Sequence, residues 1–145
     1  SGLVPLLDER VRAAGVPVLG ICLGMQLMTR SSSEGERRGL GWVDARTLRF
    51  APADPTLKVP HMGWNVARPE CTDALIEELP AEARFYFVHS YYVVCEQPSD
   101  VLLTTRHGLE FHSGFRHGNV WGVQFHPEKS HRFGMHLLRN FAERC

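Results

Sequence analysis

The 145 residues contain no stretch near the roughly 20 consecutive apolar residues that cross a bilayer, and the first residues do not form a secretory leader. Neither sign of charge is in excess. Sixteen basic residues balance sixteen acidic ones, which gives no reason to expect a nucleic-acid or anionic-membrane partner and favours a small substrate. Cysteine is sparse: the four, at 22, 71, 95 and 145, are too irregularly spaced for a disulfide framework or a zinc site. They read as independent reduced thiols, and the cytoplasm is the expected location. Also missing are Cys-x-x-Cys, His-Glu-x-x-His, a phosphate loop and a dinucleotide fingerprint. His107, His112 and His117 recur at five-residue steps, so successive ones face opposite ways on a strand. No metal and no cofactor are expected.

What is present begins at Gly20-Ile21-Cys22-Leu23-Gly24. An apolar run, Val16-Pro17-Val18-Leu19, precedes it, and Met25-Gln26-Leu27-Met28 follows. The pattern reads as a strand turning sharply into a helix with a thiol at the apex, a nucleophile elbow. Glycines on either side allow a tight turn and close approach, and the new helix aims free amide donors at the sulfur. Both the donors and the helix dipole are expected to favour thiolate. A buried structural cysteine is the alternative.

A second site weighs against that alternative. Val120-Trp121-Gly122-Val123-Gln124-Phe125 is an apolar run ending in His126-Pro127-Glu128. In extended chain, residues i and i+2 face the same way, and Pro127 disfavours helix at His126. The spacing therefore presents imidazole and carboxylate together, with Glu128 on one ring nitrogen and the other free to take the proton of Cys22. Nucleophile, base and orienter make a cysteine triad.

Read coarsely, Leu3–Ala14 is a helix, residues 16–21 are a strand, residues 41–50 and 84–94 are strands, and 101–105 pairs with 109–116. Phe133, Leu137 and Phe141 at i, i+4 and i+8 predict a last helix over 131–143, with Ser130 as its N-cap. The mixture predicts an α/β strand-helix core with an antiparallel insertion. Residues 1–145 read as one domain without repeat or linker. With 43% hydrophobic residues the chain can bury one ordinary core.

The two motifs resemble those of the class I, triad-type glutamine amidotransferases. The similarity is greatest to glutaminase subunits of imidazole glycerol phosphate synthase. It rests on Gly20 to Gln26, Pro60-His61-Met62-Gly63-Trp64-Asn65, Phe87-Val88-His89-Ser90-Tyr91-Tyr92 and Gly122 to Ser130, in that order. The resemblance implies a flavodoxin-like, mostly parallel central sheet with flanking helices. Relatives carry further strands before the elbow strand, so the chain reads as an N-terminally truncated copy lacking those strands and a second oxyanion donor.

The resemblance also implies roles for individual residues. L-glutamine is the substrate, Cys22, His126 and Glu128 are catalytic, and the backbone N–H of Leu23 is an oxyanion donor. Gln26, Glu34, Ser90 and Tyr91 bind substrate. Exposed-helix, solvated-loop and core-strand readings are the plainer alternatives for these four. Pro60 to Asn65, with Lys129 and Ser130, match a docking face for a (β/α)8 cyclase that receives ammonia in a heterodimer for histidine biosynthesis. A structural turn would also use the Pro and Gly of the first block. Other acceptors, such as a surface-polysaccharide sugar, and a non-catalytic partner-binding module stay open, as does a free-standing thiol hydrolase of glutamyl peptides.

Overall fold

In the computed structural model, residues 2–33 and 37–145 are described. Helix α1 (Leu3–Asp8) continues as a π-helical turn, Glu9–Ala13, into strand β1 (Val18–Ile21). Helix α2 (Leu23–Leu27) leaves the elbow directly. Two-residue strands β2 (Ser31–Ser32) and β3 (Arg37–Arg38) follow, then β4 (Ala45–Arg49), β5 (His61–Val66) and β6 (Arg68–Pro69). The second half supplies β7 (Arg84–His89), β8 (Tyr91–Cys95), β9 (Val101–His107), β10 (Leu109–His117), β11 (Val120–Val123) and helix α3 (His131–Arg144).

The main sheet has the order β1-β11-β10-β9-β6. Its one parallel pair is β1 with β11, and the other neighbours are antiparallel. Of the parallel sheet that the sequence suggests, the described residues therefore contain the pair that carries the nucleophile. The antiparallel remainder follows from connection length. A single residue, Gly108, joins β9 to β10 and two, Gly118 and Asn119, join β10 to β11. Both glycines have positive φ, and turns this short cannot accommodate a parallel crossover.

β11 is buried along its whole length because both faces of the sheet are covered. Trp121 and Val123 pack into a core with Phe85, Phe87, Phe111, Phe125 and Leu137 of α3, while Val120 packs on the opposite face with Met25, Val43, Val93 and Phe115. The predicted stripe on α3 is the packed one: Leu137 is fully buried, and Phe133 and Phe141 pack against the same core. The side-chain amide of Asn140 donates hydrogen bonds to the carbonyls of Leu75 and Glu77.

Three local expectations differ from what forms. Residues 84–94 are two strands, not one. β7 pairs with β5 and β8 with β4, and the chain changes sheets at Ser90, whose carbonyl accepts from Phe50 N–H. The polar His89-Ser90-Tyr91 turn within an otherwise aromatic and β-branched run is the sequence signal of that break. Residues 60–65 are mostly strand β5 rather than a turn. Ser130 occupies the N-cap position of α3 but makes no capping bond, because its hydroxyl is committed elsewhere.

Candidate active site

β1 and β11 run side by side with Ile21 opposite Val123, so the residues that follow each strand emerge at one end of the sheet. Cys22 N–H donates to Val123 O at 2.9 Å, fixing the apex of the elbow to its neighbour. At Cys22 φ is +52° and ψ −107°, a region that costs a non-glycine residue about 1–3 kcal/mol and persists only where its surroundings impose it. Gly20 is one such surrounding. A Cβ there would lie 2.8 Å from Gly24 C, Met25 N and Met28 Cε, so α2 could not fold back onto β1. Gly24 has open space where its Cβ would be, so the symmetric need for glycine expected around the thiol applies to Gly20 alone.

The half-buried thiol lies within reach of two groups. Its S–H donates to Val88 O at 3.9 Å, and Gln124 Nε2 donates to Sγ at 3.6 Å. Burial pushes the Cys22 thiol up; the Leu23 N–H and the Gln124 amide pull it down, but less strongly. The elbow was expected to favour thiolate. Desolvation outweighs the donors of a five-residue helix, so the resting sulfur is a neutral thiol that needs a base.

The base follows from the next stretch. His126 is extended, and its N–H donates to Tyr86 O at 2.9 Å. Pro127–Lys129 then forms a 3-10 turn, so the curl of that turn, rather than strand alternation, brings Glu128 back. His126 Nδ1 and Glu128 Oε1 are 2.6 Å apart. A carboxylate only accepts, so Nδ1 carries the proton and Nε2 is the acceptor left for another group. Ser130, buried, closes the arrangement: its Oγ accepts from Tyr86 N–H at 2.9 Å and donates to His126 O at 2.6 Å. The thiol and the imidazole thus share one end of the sheet, although no hydrogen bond joins them among the described residues.

Gln26 lies one turn along α2. Its Nε2 donates to Tyr91 O at 3.3 Å and to Gln124 Oε1 at 3.1 Å, which leaves its own Oε1 for a ligand. Leu23, Gln26, Leu27, Ser32, Arg37, Arg38 and Gly39 line a cleft of about 570 Å³ beside the elbow. Leu23 opens α2, so its N–H has no intrahelical acceptor and faces the sulfur. Glu34 lies outside the described residues.

With that geometry in place, the comparisons are direct. The family model described as "Glutamine amidotransferase class-I" matches residues 2–145. The chain belongs to the class I glutamine amidotransferases. It is 48% identical over 144 residues to imidazole glycerol phosphate synthase subunit HisH 2 of Methanococcus maripaludis, covering 99% of this chain and 71% of that protein. To subunit HisH 2 of Pseudomonas aeruginosa it is also 48% identical, over 143 residues, 99% of this chain and 70% of the relative. A glutamine amidotransferase from Thermotoga maritima superposes with a TM-score of 0.64 at 20% identity, covering 95% of this chain and 52% of the other; this likeness speaks to the fold alone.

In this amidotransferase, several residues expected at a docking face divide by burial. Pro60, Met62, Trp64 and Lys129 are exposed, but His61 and Ser130 are buried and cannot touch a partner directly. Asn65 is half-buried and donates to Arg106 O at 2.9 Å. Ser90 and Tyr91 were expected to hold substrate through the backbone. The Ser90 carbonyl accepts from Phe50 N–H and that of Tyr91 from Gln26 and His89, so the carbonyls position neighbours, while a substrate carboxylate would call on the N–H groups of this segment. His89, which the sequence assigns to a substrate-facing polar turn, instead hydrogen-bonds to Tyr91 O and His61, and Gln124, which reads there as one more strand residue, reaches the sulfur. A buried glutamine in an otherwise apolar run ahead of a candidate base was the available signal for Gln124, because buried amides require partners.

Proposed function

We propose that this chain is the glutaminase half of an imidazole glycerol phosphate synthase. It hydrolyses L-glutamine through a thioester on Cys22 and passes ammonia to a (β/α)8 cyclase docked on the outer face of β5, in histidine biosynthesis. The observation that carries this reading is the emergence of Cys22 and the His126–Glu128 pair at one end of the parallel β1–β11 pair.

Glutamine enters the cleft beside α2 with its side-chain carbonyl towards Leu23 N–H. The S–H turns from Val88 O to His126 Nε2; sulfur attacks the amide carbon as its proton moves to the imidazole, and Glu128 steadies the resulting cation. Charge developing on the carbonyl oxygen meets Leu23 N–H, a kind of contact worth about 3–4 kcal/mol in the barrier. Collapse breaks the C–N bond, and the imidazolium gives its proton to the leaving nitrogen, so ammonia departs and a glutamyl thioester remains. Water then attacks, with His126 again accepting the proton. Glutamate leaves, and the thiol is restored.

Ammonia released into water becomes ammonium and loses its nucleophilicity, which gives direct transfer to a partner its chemical value. The exposed Met62 and Trp64 of β5 supply an apolar contact for that partner. The Trp64 ring stacks on His131 at 5.2 Å, next to the turn that holds Glu128. Ammonia release by the chain together with a cyclase subunit tests this reading: Cys22→Ala is expected to abolish it, and turnover equal to wild type would remove Cys22 from the mechanism.

A further inference from the structure

β5 has two chemically different faces. Met62 and Trp64 point outward, 62% and 44% exposed, while His61 and Asn65 on the alternate positions point inward. His61 is enclosed by aromatic rings, with Phe87 at 4.8 Å and His107 stacked at 4.3 Å; His89, opposite it on β7, lies 5.2 Å from Phe111 and 5.3 Å from Phe50. Two buried imidazoles in an aromatic cage are costly unless each ring nitrogen is satisfied.

They are satisfied in series. Asn65 Nδ2 lies 3.1 Å from His61 Nε2, His61 Nδ1 lies 2.9 Å from His89 Nε2, and His89 Nδ1 lies 2.6 Å from Tyr91 O. The chain does not stop there. Tyr91 O also accepts from Gln26, Gln26 donates to Gln124 Oε1, and Gln124 Nε2 donates to Cys22 Sγ.

The direction of every bond is fixed. Tyr91 O can only accept, so His89 is protonated at Nδ1, its Nε2 accepts, and His61 must donate from Nδ1. His61 Nε2 then accepts from the Asn65 amide, whose Oδ1 is taken by Val66 N–H at 2.8 Å. Burial supports the uncharged forms, holding His61 down at about 3 and His89 at about 4. A second proton on either ring would set two donors face to face.

We propose that His61 and His89 are positioning residues: a neutral imidazole relay that holds the Tyr91 carbonyl, and through Gln26 and Gln124 the Cys22 sulfur, in register with strand β5. The inference rests on Cys22 being the nucleophile. A protein seated on Met62 and Trp64 shifts the strand that carries His61, and the relay turns that shift into a change in sulfur orientation. His61→Phe keeps a ring but removes the donor to His89, whereas the side-chain nitrogen of His61→Asn falls near the lost Nδ1.

The test compares both variants with wild type in the complex with the cyclase. For His61→Phe, kcat for glutamine hydrolysis is expected to fall about tenfold or more while KM changes much less, since a displaced nucleophile slows chemistry rather than binding. His61→Asn is expected to recover most of kcat. Equal losses in the two variants, or a lowered melting temperature with unchanged kcat, would overturn the relay. Side-chain heteronuclear NMR of the wild-type chain provides a check independent of activity. Both histidines should appear as neutral Nδ1–H tautomers, and an Nε2–H form at either overturns the proposal. Wild-type complex that releases no ammonia would instead sink the glutaminase reading.

Discussion

Replacing Ser130 with alanine removes one buried oxygen from a closed ring of three hydrogen bonds. Tyr86 N–H donates to Ser130 Oγ, Ser130 donates to His126 O, and His126 N–H donates back to Tyr86 O. In the variant only the last survives. Stranding the Tyr86 donor costs about 1–3 kcal/mol, and losing the bond to His126 O about 1 more, so the expected destabilisation is about 2–4 kcal/mol. For a chain of this size that lowers the melting temperature by about 10 °C. The same ring holds the backbone of the base, and a displacement well under 1 Å at His126 is expected to lower kcat by about tenfold to a hundredfold with a smaller change in KM. Thermal unfolding by circular dichroism and steady-state ammonia release with the cyclase read the two effects. A variant with wild-type melting temperature and wild-type kcat would refute the claim that this hydroxyl sets His126.

Three further outcomes are expected. Glu128→Gln retains an acceptor at the His126 Nδ1 but removes the charge that steadies the imidazolium, so kcat should fall about tenfold to a hundredfold with KM little changed; an unaltered kcat would contradict the orienter role. His89 takes up a proton only when unfolded over the range from its ordinary 6.5 down to about 4, so folding stability drops as pH falls through that window, by on the order of 3 kcal/mol at pH 4. Denaturant melts across that range should show the slope, and His89→Asn should roughly halve it, because His61, held at about 3, contributes over the same window; an unchanged slope in the variant would place its source elsewhere. Trp64→Ala, at an exposed ring, should weaken cyclase binding about tenfold or more in a calorimetric titration while leaving the melting temperature of the free chain within a few degrees; undiminished affinity would move the docking face off β5.

The elbow, the late His-Pro-Glu and the last helix were legible because each depends on local spacing: a glycine beneath a helix, a proline that turns the chain, an apolar residue every fourth position. The change of sheet at Ser90 shows in sequence only as the polar His89-Ser90-Tyr91 turn, and the new pairing does not, because it is set by Phe50 N–H reaching Ser90 O from a distant segment. At Cys22 the expected pull of the donors towards thiolate is present but outweighed by burial. Local geometry announces the Leu23 donor, whereas the burial that outweighs it has no local signature in the sequence. Ser130 and His61 illustrate the same limit. Their motifs place both at the expected docking face, and burial turns both inward, one to hold the base and the other towards His89.

The central claim is that one sulfur, that of Cys22, is the nucleophile and depends on His126 for activation. Incubation with an electrophilic glutamine analogue, followed by peptide mass spectrometry, tests it most directly. Selective modification of Cys22 over Cys71, Cys95 and Cys145, slowed in a His126→Asn variant, is the predicted result. Modification spread over the four cysteines, or a rate at Cys22 indifferent to His126, would contradict it.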